Sequence, residues 1–162
     1  MKEIILTQIL IEGNTNGIIQ IDVDEWNGMA YKIPKNRFRD VNKIDNLKKC
    51  GIYFLIKKSN NKNIVYIGKS SNVYNRILKH NKKFWQECIV FISKNYEINE
   101  AHTTYIESII CKEAKSTGNY IVENEQIPQK NILSNADRIK AIKFLDKVKI
   151  VIDLLGYEIF DK

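Results

Sequence analysis

Three side chains in this sequence have the chemistry to bind and activate a phosphate ester. Arg76 carries a planar fork of donors that matches phosphate oxygens, and His80, four residues later, can add a donor or relay a proton. Glu107 has small residues at helical spacings of 4, 4 and 7, which would leave a recess beside it: Thr103, Cys111 and Ala114. A carboxylate in a recess can hold a hard divalent cation, with water completing the octahedral shell.

Each of these side chains also has a plainer interpretation. Arg76 and His80 fit a solvent-exposed basic pair on one side of a helix, and Glu107 fits a surface salt bridge. Other glutamates nearby fit the exposed interpretation better than Glu107 does: Glu97, Glu100 and Glu113.

Two tyrosines, Tyr53 and Tyr66, lie in short strand-like segments. Side chains alternate along a strand, so each tyrosine points away from the apolar residues on either side of it. If a hairpin places residue 53 across from residue 66, or displaced from it by two, both phenols share one face and can line one pocket; a slip of one residue separates them. The alternative is that both are ordinary sheet residues that pack against a helix.

The net charge of +7 is concentrated in one part of the chain. Residues 46–86 carry 10 basic and no acidic side chains, whereas residues 1–45 carry 6 against 7 and residues 87–162 carry 10 against 12. Such a stretch attracts a polyanion, although charge alone does not distinguish DNA from RNA or an acidic membrane. A solvated basic face is the alternative interpretation.

The elements that must position these residues follow from hydrophobic periodicity. Residues 3–11, 17–23 and 29–33 alternate like strands, and the segments GIYFLIKK and NIVYIGKS, joined by the turn-forming residues 59–63, predict a hairpin. We predict a helix over 72–83 and a further strand over 88–93. Two more helices are indicated, one from the cap Asn99 to Gly118 and one from the capping box of Ser134 and Asp137 to Gly156.

These elements predict an α/β (α+β) fold with a small central antiparallel three-stranded sheet flanked by helices. We expect a single globular unit with a β-rich N-terminal segment over 1–45, a core over 46–130 and a C-terminal helical extension over 131–162. Hydrophobic residues make up 44% of the 162, which indicates a folded domain, and no run is long enough to span a membrane. Three scattered cysteines without a CxxC pair favour a reducing cytoplasm.

In this order the motifs resemble those of a known family. Gly51-Ile52-Tyr53 and Tyr66-Ile67-Gly68 spell the two strand motifs of GIY-YIG endonucleases, separated by a turn. The family's arginine on the next helix, often followed by His or Tyr one turn later, is matched by Arg76 and His80, and its metal-binding glutamate by Glu107. The spacing of 13 between the two tyrosines is longer than in many members.

The resemblance extends to a bacterial subgroup and covers nearly the whole chain, including the N-terminal β segment and the long final helix. The family's late asparagine resembles Asn124 in YIVENEQIP, with Asn119 as the weaker candidate. No appended DNA-recognition domain accompanies the motifs.

The resemblance implies a metal-dependent endonuclease that cuts DNA with one divalent ion, Mg²⁺ (or Mn²⁺), bound by Glu107. Tyr53 would orient or deprotonate the attacking water, which requires a nearby cation to lower its pKa. Arg76 would neutralise transition-state charge, Tyr66 and His80 would position phosphate and water, and Asn124 would brace the site. The lysines expected to contact DNA are Lys57, Lys69, Lys79, Lys82 and Lys83. We expect no small-molecule cofactor and no membrane partner, and the oligomeric state stays open.

Two other functions fit the sequence. The first is a catalytically silent nucleic-acid-binding module on the same scaffold. The second is an interaction protein that uses the N-terminal β segment, in which Trp26 and Met29 would be exposed, although packing of both in the core is the favoured interpretation.

Overall fold

Seven strands form one sheet in the computed structural model, which describes residues 2–162. Their spatial order is β1-β2-β3-β6-β4-β5-β7, and every neighbouring pair is antiparallel except β5 with β7. The strands are β1 (Leu6–Leu10), β2 (Ile19–Val23), β3 (Gly28–Pro34), β4 (Gly51–Lys57), β5 (Ile64–Ser70), β6 (Glu87–Ser93) and β7 (Ile121–Val122). The helices are α1 (Val73–Leu78), α2 (Glu100–Thr117) and α3 (Asn135–Leu154), with 3-10 helices over Lys35–Lys43 and Asp45–Lys48.

The predicted three-stranded sheet is wrong in size. Strands β4, β5 and β6 pair as expected, but β3 also pairs with β6 from Gly28 opposite Ser93 to Pro34 opposite Glu87. The N-terminal strands therefore continue the same sheet. The reason is visible in β6, whose residues 88–92 are all apolar and fully buried, because a strand covered on both faces lies inside a sheet and needs a partner on each edge.

Both faces of the sheet are covered by a hydrophobic core. Helices α2 and α3 pack on the face that carries Ile52 and Phe54, whereas α1 and the 3-10 helices pack on the face that carries Tyr53 and Leu55. Trp26 belongs to the first of these cores, which agrees with core packing and not with the alternative that exposes it for a partner. No helix among residues 2–162 combines the length and the apolar character needed to cross a membrane.

The hairpin of β4 and β5 has one of the two predicted registers. Tyr53 pairs with Gly68 and Leu55 with Tyr66, so the two tyrosines are displaced by two residues and share a face. The turn is held by Ser59, whose hydroxyl donates to the Lys62 carbonyl at 2.6 Å. The register prediction is confirmed.

The helix ends follow their sequence signals, except in α1. Asn99 caps α2, which ends at Gly118 in the left-handed conformation (φ +69°), and Ser134 caps α3. The predicted helix over 72–83 is too long. It ends at Leu78 because the His80 ring accepts a hydrogen bond from the Lys82 backbone N–H at 3.0 Å, which replaces the next helical turn.

Gly51 is required by the close approach of two strands. A Cβ at this position would lie 2.2 Å from the backbone oxygen of Phe91 on β6. Because that atom belongs to the backbone, no side-chain rotation relieves the clash.

We therefore expect Gly51→Ala to lower the free energy of unfolding by about 1–3 kcal/mol, since β4 and β6 must move apart to admit the methyl group. Urea denaturation of the purified variant measures this loss. A change below about 0.5 kcal/mol, the size common for surface substitutions, would contradict the tight packing at this position.

Candidate active site

A cavity of about 360 Å³ opens at the edge of the sheet beside β5. Helix α1 packs on one face of the sheet and α2 on the other. One polar side chain from each helix lines the cavity, beside the part of β5 that does not pair with β7. Four of the predicted site residues line the cavity: Tyr66, Arg76, Glu107 and Asn124. Lys82, one of the predicted DNA contacts, lines it as well, and sequence reasoning missed the remaining lining residues, which are Asn81, Glu123, Glu125, Gln126 and Pro128.

Tyr53 lies behind this cavity rather than in its wall. Its side chain is fully buried, and its ring stacks against Tyr66 with centroids 6.2 Å apart and planes 25° apart. Gly68 makes this possible, because a Cβ there would lie 2.4 Å from the Tyr53 hydroxyl oxygen. The glycine of the second tripeptide therefore provides the space that the tyrosine of the first one occupies.

The tyrosine hydroxyls lie beside the Arg76 guanidinium. Burial raises the pKa of Tyr53 well above its usual value of 10.0, and the nearby Tyr66 adds to the rise; the Arg76 cation opposes it without reversing it. Burial also raises the pKa of Tyr66, again against the effect of Arg76. Both phenols are therefore protonated at neutral pH in the free protein and act as hydrogen-bond donors.

Glu107 is the buried carboxylate of the cavity. Its side chain is 8% exposed, and it forms no hydrogen bond or ion pair with any residue from 2 to 162. Burial raises its pKa above the usual 4.5, while Lys69 and Arg76 act in the opposite direction. The predicted small neighbours Thr103, Cys111 and Ala114 are all fully buried, so the recess lies in the packed side of α2.

Asn124 completes the hydrogen bonding of β5 where β7 ends. The Ile67 N–H donates to the Asn124 side-chain oxygen at 3.0 Å, and the Asn124 amide donates back to the Ile67 carbonyl at 2.6 Å. Lys115 in turn donates to the Asn124 carbonyl at 2.9 Å. Asn119 lies outside the cavity and binds the carbonyls of Glu158 and Asp161, so only Asn124 is placed at the site.

His80 is a neutral donor held against the tyrosines. Its ring lies 4.6 Å from the Tyr66 ring and 5.8 Å from the Tyr53 ring. Burial, followed by the charges of Arg76, Lys83 and Lys82, lowers the pKa of His80 to about 4. Because Nδ1 accepts from the Lys82 N–H, the proton is assigned to Nε2, which is buried and has no partner among residues 2–162.

Residues 46–86 contain no carboxylate, but carboxylates from other segments lie beside them in the fold. Lys82, predicted to bind DNA, lies 3.8 Å from Glu123 and 3.9 Å from Glu125 at the rim of the cavity. The sequence does not reveal this pairing, because the two glutamates follow α2, about forty positions further along the chain. Of the other predicted DNA contacts, Lys79 and Lys83 are exposed, Lys69 is partly buried near Glu107, and Lys57 ends β4.

This geometry places a cation, Arg76, and a carboxylate, Glu107, in the wall of one cavity. Among residues 2–162, no three His, Cys, Asp or Glu side chains form a ready metal cluster. Glu107 is instead a single unpaired carboxylate facing a polar cavity, and Mg²⁺ is commonly bound through one or two carboxylates with water and substrate oxygens. The residues present therefore fit a divalent ion.

A model of the GIY-YIG catalytic domain matches residues 49–130, which is just over half of the chain. The protein belongs to the GIY-YIG family, whose members are typically nucleases that act on DNA and generally use divalent metal ions. Neither the curated proteins nor the solved structures gave a match.

We expect Asn124→Ala to lower the free energy of unfolding by about 2 kcal/mol or more, because it leaves the buried N–H of Ile67 without its partner and the Ile67 C=O with only the weak donor Cys111 Sγ at 3.9 Å. The amide of Ile67 should also exchange its hydrogen faster, which native-state hydrogen exchange measures. Asn119→Ala is the matched control: it also removes two side-chain hydrogen bonds, but at an exposed site, and should cost under about 1 kcal/mol. Equal losses for the two variants would contradict the role given to Asn124.

Proposed function

We propose that this protein is a metal-dependent endonuclease that hydrolyses DNA phosphodiester bonds in the cavity beside β5, using Mg²⁺ or Mn²⁺. The observation that carries the proposal is the meeting of Arg76 and Glu107. They belong to helices on opposite faces of the sheet, yet they line one cavity together with Tyr66. Neither a basic surface pair nor a surface salt bridge explains this arrangement, because Glu107 is buried and forms no ion pair.

A divalent ion at Glu107 would supply Lewis-acid polarisation of a phosphate oxygen and stabilise the leaving oxygen. This role for Glu107 is supported by the free-energy cost of desolvating its carboxylate. The raised pKa of Glu107 reflects a carboxylate that is partly desolvated and accepts no hydrogen bond from residues 2–162. A bound cation is the partner that such a group lacks.

Arg76 is the residue proposed to bind the scissile phosphate. Its guanidinium is exposed to the cavity, so it can neutralise charge that develops on the phosphate oxygens. Tyr66 lines the same cavity with a protonated hydroxyl and can donate to the phosphate or to the attacking water.

Tyr53 and His80 are proposed to act behind these groups. The buried Tyr53 has a raised pKa, which favours a role in holding Arg76 and Tyr66 in place over removal of a proton from water. His80, neutral and packed against both tyrosines, keeps a donor on Nε2 near the phenols. Asn124 braces the strand that carries Tyr66.

The basic side chains around the cavity are proposed to bind the DNA backbone. Within residues 2–162, no carboxylate lies at ion-pair distance from Lys69, Lys79 or Lys83, whereas Lys82 must leave Glu123 and Glu125 to reach a phosphate. Lys57 lies at the hairpin end of β4 and would contact DNA only outside the cavity.

We expect Glu107→Gln to reduce cleavage of plasmid DNA in Mg²⁺ or Mn²⁺ by about a hundredfold or more, since it removes the proposed metal ligand. DNA binding in the absence of metal should be retained. Glu113→Gln is the matched control, because Glu113 lies on the same helix but pairs with Lys149 away from the cavity, and it should cut normally.

Undiminished cutting by Glu107→Gln would remove the metal assignment. A wild-type protein that shifts DNA mobility but never nicks it, with either ion, would instead establish the catalytically silent binding module.

Glu107→Gln should also make the metal-free protein more stable at neutral pH. A carboxyl group whose pKa is raised in the folded state loses stability as the pH rises from its unfolded value through the raised one. The gain from Gln should therefore be present at pH 7 and should disappear below the ordinary glutamate pKa of 4.5. Melting temperatures of the two proteins across this pH range, with a chelator present, measure the difference. An equal or lower melting temperature for Glu107→Gln at pH 7 would contradict the strained carboxylate.

A further inference from the structure

Strand β1 forms the edge of the sheet that lies farthest from the cavity. It pairs with β2 alone among the described residues, and its side chains are exposed along most of its length. Five aliphatic side chains in and beside this strand are each at least 39% exposed: Ile4, Ile5, Ile9, Leu10 and Ile11. The segment 4–11 contains no charged residue, no proline and no glycine.

An edge of this kind is unusual in a protein that stays monomeric. Free edge strands are ordinarily protected by a charged side chain, a proline, a bulge or a covering loop, because their unpaired backbone groups pair readily with another strand. Residues 4–11 carry none of the sequence devices, and the nearest charges stand at the two ends, on Glu3 and Glu12.

The register with β2 determines which backbone groups are free. The Ile5 carbonyl accepts from the Asp24 N–H at 3.0 Å, and the Ile11 N–H donates to the Ile18 carbonyl at 3.1 Å. Odd-numbered residues of β1 therefore bond to β2, and even-numbered residues direct their N–H and C=O groups outward. Leu6 and Gln8 lie at the centre of this free row.

The strand is complementary to a second copy of itself. In an antiparallel pair centred on Thr7, the outward groups of Leu6 and Gln8 face each other across the two-fold axis, as a hydrogen-bonded pair requires. Ile5 then stands opposite Ile9 of the second copy. Shifting the centre to residue 6 would place Ile5 opposite Thr7. Shifting it to residue 8 would keep aliphatic pairs but would place Leu6 opposite Leu10, whose carbonyl already accepts from the Gly13 N–H at 2.9 Å.

The same register also matches side chains at the ends of the strand. Ile4 stands opposite Leu10, the last residue of β1 before the chain turns.

We propose that this protein forms a two-fold symmetric homodimer by antiparallel pairing of β1 with β1 about Thr7. The pairing joins the two sheets into one and covers the exposed aliphatic side chains of residues 4–11. It leaves both cavities open, because four strands separate β1 from β5 in each copy. The proposal does not depend on nuclease activity.

The first test is the mass in solution across a concentration series, measured by light scattering or sedimentation. Wild-type protein should reach twice the 18.9 kDa of one chain. Gln8→Pro removes an outward N–H from each copy without breaking a bond to β2, and it should weaken the dimer about tenfold or more. Gln8→Ala keeps the N–H and should remain a dimer.

The second test fixes the register and stays informative if Gln8→Pro does not fold. Thr7 would face Thr7 of the other copy in a non-hydrogen-bonded pair, in which the Cα atoms are about 4.5 Å apart and a disulfide can form. Thr7→Cys should therefore cross-link through residue 7 in oxidised glutathione. Thr15→Cys, exposed in the turn after β1, should not cross-link.

A wild-type protein of 18.9 kDa at every concentration would overturn the proposal. A dimer that persists in folded Gln8→Pro, or one in which Thr7→Cys fails to cross-link, would overturn it as well, because the contact would then lie on another surface or in another register. Capture of a different chain at β1 would appear as failure of the pure protein to dimerise and counts against the proposal.

Discussion

The unpaired carboxylate of Glu107 is the constraint on which the site depends. A negative charge on the packed side of α2 costs free energy, and no donor among residues 2–162 relieves it. Lys69 and Arg76 reduce the cost from a distance but leave the oxygens free. The fold therefore keeps a strong hydrogen-bond acceptor available in the cavity beside β5, which helices from both faces of the sheet line.

The two glycines of the motifs contribute to this arrangement because they have no side chain. Gly51 allows β6 to lie close to β4 at the centre of the sheet. Gly68, on β5, leaves the space that the Tyr53 ring occupies. The Tyr66 ring then packs against the Tyr53 ring and against the His80 ring. Beyond the two pairs of β5 with β7, the Asn124 side chain bonds to the backbone of Ile67, the residue next to Tyr66.

Much of the site could be predicted from the sequence because its residues lie in locally specified elements. The hairpin register followed from alternation and a short turn, and Asn99 and Ser134 marked the helices that follow. What the sequence could not show depends on contacts between distant segments. The pairing of β3 with β6 made the sheet larger than predicted, although the unbroken apolar run of β6 was a signal that it needed two neighbours.

Two other differences have the same origin. Tyr53 alternates with apolar residues as expected, but the face it shares is a second core, built by α1 and the 3-10 helices, and this burial raises its pKa. Lys82 belongs to an acid-free stretch of sequence, yet the segment after β7 places two glutamates beside it. Periodicity reveals which way a side chain points but not what a remote segment brings to meet it.

The position of the cavity at one margin of the sheet has a consequence for how such a protein can diversify. The N-terminal strands are added at the opposite margin, so insertions, replacements or longer extensions there change the outer shape without touching the helices that carry Arg76 and Glu107. Selection can thus alter what the molecule associates with while its reactive geometry is inherited intact.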